Sequence, residues 1–359
     1  MRNHQQSLIE LLLKTDPDFH QGVLDQLIRL DTVGLAHMYV DTAFVVTAMQ
    51  FIQEQYWILS KEKETPLNFQ GFSKKLFKVE LAPILFLHSE IEHSSVEEME
   101  KIKINAISIL ELVVKYVKTL GTPENKIFAT NAVKLISELV EYEHQIVADK
   151  KDKNLLLGYS LDRTFDDLDQ ILGIDYKVDK NIQPAQKTEF GEERIFEGSG
   201  IGVQSTYSTV LLALRYLRIP MGARFVDLGA GFGRVGFIVG LMRPDVLFTG
   251  YEIVAERVQN VNAALKYFDL EKNVKFHTQD LGSTDFLIPE ADVYYMFDPF
   301  TDKTYSHVLT QLSSVATKKK INIITSGKAR HVMQELSQRG RWSAPQIFET
   351  GNFCLFRSF

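Results

Sequence analysis

Phe225-Val-Asp-Leu-Gly-Ala-Gly-Phe-Gly-Arg-Val-Gly236 decides how this chain is read. Strand-forming residues give way to alternating glycines, and helical apolar spacing follows to about residue 242. Glycine belongs where the backbone turns with positive φ, or where a ligand must come close to the main chain. A helix that opens directly after such a turn presents its free amide donors to whatever lies above the loop.

Outward from this stretch, strands and helices alternate. Strands are expected over 224–228, 246–252, 274–277, 291–297 and 321–325. Helices are expected over 254–268, 303–316 and 329–339, with a further helix over 204–217 before the first strand. Segments 347–350 and 353–357 flank Gly351-Asn352 and read as a hairpin. This alternation implies an α/β fold, a Rossmann-like parallel sheet covered on both faces. The terminal hairpin adds an antiparallel edge.

The first half reads as helices alone. Ser95-Val-Glu-Glu98 is a capping box, in which hydroxyl and carboxylate satisfy free amides reciprocally. It opens a helix whose apolar stripe is Val96, Met99, Ile102, Ile109, Leu110, Val113, Val117 and Leu120. Thr122-Pro123 opens a second, expected to bury Ile127, Val133, Ile136, Leu139 and Val140. Helices are also expected near 20–30, 39–59 and 72–91. Asp149-Lys-Lys-Asp-Lys153 breaks the pattern, a short helix is expected at 166–172, and 181–190 reads as a linker. The expected organisation is an all-α domain over 1–150, a linker region over 151–195 and the α/β domain over 196–359.

Composition narrows the classes. A single cysteine, Cys354, excludes an intramolecular disulfide and a multi-cysteine zinc site. The N-terminus shows no secretory signal, and apolar runs such as 235–242 fall short of the ~20 residues that span a bilayer. The expectation is a cytoplasmic protein away from membranes. Residues 1–189 carry 21 Lys and Arg against 29 Asp and Glu, a balance of −8. Residues 190–359 carry 19 against 17, a balance of +2. A basic footprint for nucleic acid is missing overall.

Two ligand classes compete for the glycine loop. Gly231-Phe-Gly233-Arg-Val-Gly236 fits the G-x-G-x-x-G of nicotinamide and flavin enzymes, and Gly229-Ala-Gly231-Phe-Gly233 fits the G-x-G-x-G of S-adenosylmethionine (SAM) enzymes. Asp227 favours SAM. An acid at the end of the first strand pairs with the cationic end of SAM and repels a pyrophosphate. Glu252 ends the second strand, where a carboxylate accepts ribose hydroxyls. Asp280, with Leu281 beside it, follows the third strand and is expected on the adenine side. Three acids at the ends of successive strands line the edge where open sheets bind ligands.

These residues resemble the class I SAM-dependent methyltransferases over about 198–359. Within that superfamily the segment looks most like the catalytic region of the histone lysine methyltransferases that lack a SET domain. Tyr207, 20 positions before Asp227, matches an aromatic residue of that family. The resemblance implies that Gln204 and Ser205 touch the methionine part of SAM. At the end of the fourth strand, Asp298-Pro299-Phe300 is similar to the Asp/Asn-Pro-Pro-Tyr/Phe of amino-methyltransferases, with Thr301 in the fourth place. In this reading Asp298 orients an amine and accepts its proton, while Phe300 and Tyr207 form an aromatic wall; Tyr294 is expected first as a core residue and second as part of that wall. The expected activity is N-methylation of an amine on a basic protein. Base methylation of nucleic acid and catalysis-free SAM sensing are the alternatives.

Other features carry less. His88-Ser-Glu-Ile-Glu-His93 places only His88 and Glu92 on one helical face, so no metal site is expected. The glycines within 196–202 suit a lid or a hinge.

Overall fold

The computed structural model describes residues 3–14, 19–62, 69–78, 81–91, 94–149, 161–189, 191–197, 204–297, 300–337, 342–348 and 353–359. The chain forms two compact units, Met1–Ile171 and Leu172–Phe359.

The first unit is helical: α1 Asn3–Leu12, α2 Phe19–Leu27, α3 Thr32–Glu62, α4 Phe69–Phe77, α5 His88–Ile91, α6 Val96–Val117, α7 Thr122–Asp149 and α8 Leu168–Ile171. The capping box forms. Ser95 Oγ accepts from the Glu98 amide at 3.2 Å, and Glu98 Oε2 accepts from the Ser95 amide at 2.6 Å. Helix α6 buries Met99, Ile102, Ile109, Leu110, Val113 and Val117 as expected, but Val96 in its first turn is exposed. In α7 Val133, Ile136 and Val140 are buried as expected, and the buried face is wider at its start than expected. Phe128, Ala129, Ala132, Val133, Ile136 and Val140 are buried and Ile127 is exposed. The reason is α3, which packs on α6 and α7 and sets Tyr39 edge-on to Phe128 at 5.9 Å. Helix α3 also corrects the expectation that no segment approaches a bilayer-spanning length. Thr32–Lys61 is long and apolar enough, yet 72% of its most apolar stretch is buried inside this unit, so it reads as a core helix.

The second unit begins earlier than expected, because the segment from 172 to 196 belongs to it. This segment holds the antiparallel hairpin of β1 Ala185–Thr188 and β2 Gly191–Arg194. Then come α9 Tyr207–Leu217, β3 Arg224–Leu228, α10 Arg234–Met242, β4 Leu247–Glu252, α11 Ala255–Tyr267 and β5 Val274–Thr278. β6 Val293–Phe297, α12 Asp302–Lys318, β7 Asn322–Ser326, α13 Lys328–Ser337, β8 Gln346–Phe348 and β9 Phe353–Arg357 complete it. The expected helix over 204–217 starts only at Tyr207, since Thr206 is its N-cap and accepts from the Thr209 amide at 3.1 Å.

The main sheet has the order β5-β4-β3-β6-β7-β9-β8. β3 to β7 are parallel, and β9 and β8 form the antiparallel edge expected from the terminal hairpin. This is the Rossmann-like arrangement that the alternation of elements implied. From β3 the chain builds to one side through β4 and β5, then returns to build β6 and β7 on the other. The crevice at the C-terminal ends of the strands, at this reversal, is where such sheets take ligands.

Candidate functional site

The glycine loop is held to the neighbouring strand. The amides of Gly229 and Ala230 both donate to the Tyr251 carbonyl, at 2.9 and 2.8 Å. Gly229, Gly231 and Gly233 have φ of 89°, 53° and 81°, the left-handed region that side chains disfavour. Gly233 is also the N-cap of α10, and a Cβ there would come 2.7 Å from Val261. Alternation of glycine in the sequence is therefore a local backbone requirement.

A cavity of about 280 Å³ opens at the ends of β3, β4, β5 and β6. Asp227, Gly229, Gly231, Glu252, Asp280, Leu281, Gln204, Ser205 and Phe300 all line it. The structure thus brings together most of the residues singled out in the sequence. Gly233 shapes the turn from beneath the loop. Asp298 and Pro299 lie outside the described residues, as do most of the glycine-rich segment after Phe196, and Glu92 and His93 of the histidine cluster.

The electrostatics of the cavity are set by two buried carboxyls. Asp227 is 2% exposed and accepts no hydrogen bond from a described residue. Burial, and then the nearby charge of Glu252, push its carboxyl well above the usual range. Glu252 is raised by burial too, but Arg257 and two amides pull against this. Its Oε2 accepts from Gly231 N at 2.8 Å and its Oε1 from Val254 N at 3.1 Å, and Arg257 stands 3.7 Å away. Asp280 Oδ1 accepts from the Gly282 amide at 2.8 Å, which turns the loop after β5.

Several functional residues escaped the sequence reading. Arg234 is buried in the first turn of α10 and lines the cavity. It donates to the Ser205 carbonyl at 2.9 Å and to the Tyr176 hydroxyl at 3.2 Å, and its guanidinium lies 4.9 Å from the centre of the Tyr207 ring. An arginine amid Val, Gly, Phe and Ile on a helix is a signal that was there to be read. Tyr295 donates to Ser205 Oγ at 2.8 Å and lines the cavity, its hydroxyl raised in pKa by burial.

Of the expected aromatic wall, Tyr207 is corrected, whereas Tyr294 packs in the core as expected first. Tyr294 is not at the cavity. It points to the opposite sheet face, where its hydroxyl donates to the Pro289 carbonyl at 2.7 Å and accepts from the Ala291 amide at 2.8 Å. Alternation along a strand explains why its neighbour Tyr295 faces the ligand side instead. Tyr207 is buried under Arg234 and does not line the cavity. Phe300 keeps its place, edge-on to Tyr305 at 5.2 Å, and Phe297 joins it.

The expected linker supplies a further wall. Glu193, Ile195 and Phe196 line the cavity. Glu193 accepts from the Thr301 amide at 2.9 Å, from Thr301 Oγ1 at 2.8 Å and from Thr304 Oγ1. Asp179 receives both Arg257 Nε and Nη2, at 2.9 and 2.8 Å, and the same guanidinium donates to the Phe196 carbonyl at 2.6 Å. None of this is visible in residues 172–196 alone, because every partner lies at least 61 positions away.

No protein-family model and no curated protein sequence matches this chain. Among solved structures, it is similar to a SAM-dependent methyltransferase from Aquifex aeolicus, with 14% identity and a TM-score of 0.34 over 42% of this chain and 88% of that one. It is also similar to a precorrin-6y C5,15-methyltransferase from Geobacter metallireducens, with 16% identity and a TM-score of 0.35 over 45% and 92%. A third is TrmN from Thermus thermophilus, with 15% identity and a TM-score of 0.35 over 43% and 49%.

Proposed function

We propose that the second unit is a SAM-dependent methyltransferase domain. The carboxyl of Asp227 carries this reading. It is buried at the end of β3, faces a cavity, and receives no hydrogen bond from a described residue. A ligand that brings a cation to this point relieves the cost of burying a carboxylate, and a pyrophosphate raises it. The ammonium and sulfonium groups of SAM meet that demand. Glu252 keeps lone pairs for the ribose hydroxyls beyond the two amides it already receives. Gln204 and Ser205 would hold the methionine part, Asp280 and Leu281 the adenine part, and the positive-φ glycines let the backbone approach.

When bound, SAM supplies an already activated methyl group. What remains for the chain is alignment of the acceptor and exclusion of water. We assign the acceptor as an amine on a protein side chain. Phe297, Phe300 and the Glu193 carboxylate line the β6 side of the cavity, surroundings that suit a cation. Asp298 follows β6 directly in sequence and would accept the amine's proton. The −8 balance of residues 1–189 favours a basic polypeptide over nucleic acid.

Calorimetric titration with SAM and S-adenosylhomocysteine, beside NAD, tests the cofactor. Saturable SAM binding that is lost in Asp227→Ala and absent for NAD is expected, and no SAM binding overturns the reading. Methyl-labelled SAM offered with basic proteins, DNA and RNA tests the acceptor. Label in protein is expected; label in nucleic acid alone overturns that assignment.

A further inference from the structure

The β1–β2 hairpin is fastened at two places by carboxylates. Glu189 accepts from Ser283 Oγ at 3.2 Å, Thr284 N at 3.0 Å and Thr284 Oγ1 at 2.8 Å, in the loop after β5. Glu193 accepts from Thr301 and Thr304 at the start of α12, after β6. In the sheet, β5 and β6 are separated by β4 and β3. The hairpin thus joins the loop after β5 to the start of α12 after β6, on either side of β4 and β3, the strands that carry Glu252 and Asp227.

We propose that this hairpin is a strap across the ligand crevice, with Glu189 and Glu193 as its releasable fastenings. The proposal rests on the methyltransferase reading for the identity of the ligand beneath. The base of the strap is firmly held, since Arg257 joins Asp179 and the Phe196 carbonyl. The hairpin itself is a two-stranded ribbon with exposed β1 residues, and such a ribbon has little stability of its own. Its attachment to the crevice depends on hydroxyl and amide donors to two carboxylates, bonds that water can replace. Glu193 is also a positioning residue for the acceptor side. It takes the Thr301 hydroxyl, which makes no cap bond to its own helix, and so fixes the turn beside Phe300.

Association and dissociation of S-adenosylhomocysteine, followed by surface plasmon resonance on the full chain, test the strap. Glu189 is exposed at the hairpin tip, so Glu189→Ala removes a fastening with the fold intact, and unchanged circular dichroism checks this. Glu193→Gln is the second variant. A gate that is easier to open speeds ligand traffic both ways: association and dissociation each rise about tenfold in Glu189→Ala, and affinity shifts less than about threefold. Hydrogen exchange at the amides of 185–194 should slow when the ligand binds. Unchanged rates in both variants overturn the strap and leave the methyltransferase reading standing. A faster dissociation alone, with weaker binding, marks an ordinary cavity wall and overturns it as well. No binding by the unmodified protein overturns both proposals together.

Discussion

Asp227 in the sheet unit and Glu143 in the helical unit are both buried carboxyls that accept no hydrogen bond from a described residue. Burial raises both, Glu143 to about 8 with Asp162 adding to the effect, and Asp227 well above the usual range with Glu252 adding to it. Their settings differ. Asp227 ends a strand over a glycine loop and faces a cavity, whereas Glu143 sits on the packed side of α7. The same desolvation thus reads as a binding determinant at one place and as a cost to stability at the other. A raised carboxyl becomes a functional signal only where the fold leaves room for the cation that would relieve it.

The sharpest way to break this comparison is to destroy the room. Gly233→Val should destabilise the second unit by roughly 3 kcal/mol and abolish SAM binding, through strain at positive φ and the clash with Val261. Urea unfolding and calorimetry would show both effects. Keeping the room and removing the charge is the next step. Asp227→Asn should lower SAM affinity at least about 100-fold while leaving the unit as stable or more so, since a buried carboxyl beside Glu252 is lost. Unaltered SAM affinity in that variant would put Asp227 in the same class as Glu143.

Proton linkage sharpens the difference further. Asp227 has a raised pKa in the free protein, so a bound cation should drive its proton off. SAM binding should therefore release protons and tighten as pH rises, which heats of binding in two buffers would report. Among the described residues Glu143 has no such partner. Its folded pKa of about 8 lies above the ordinary 4.5, so its protonated form favours the folded state below about 4.5 and that contribution is lost as pH rises to about 8. Glu143→Met should therefore raise stability at pH 9 by roughly 2–4 kcal/mol relative to the unmodified chain, with little gain near pH 5. Urea midpoints at the two pH values decide it. The smallest effect is expected at an exposed carboxylate of opposite sign, Glu98, whose pKa the Ser95 amide and hydroxyl lower. Ser95→Ala should reduce the melting temperature by about 2 °C near neutrality, less as acid protonates Glu98.

The two units were not equally legible. The five parallel strands appear where the alternation placed them, within one or two residues, because each is a short β-prone run and all but β5 lead into a helix. The capping box was readable because its two groups are three residues apart. The resemblance puts Tyr207 at the cavity, and packing under Arg234 takes it elsewhere. The hairpin at 185–194 went unread because it has no alternating apolar face. Its support is side-chain carboxylates that reach loops 94 to 111 positions away.

The sequence by itself determined the strand–turn–helix of the glycine loop, the long helices α6 and α7 of the first unit and the row of acids at the strand ends. These depend on backbone conformation and on spacings of two to four residues, which the chain carries locally. Only the tertiary structure decided that Phe128 rather than Ile127 is buried at the start of α7, that Tyr295 meets the cavity, and that a stretch without periodicity walls it. Those outcomes depend on partners distant along the chain, and burial and hydrogen bonding between such partners leave no local trace.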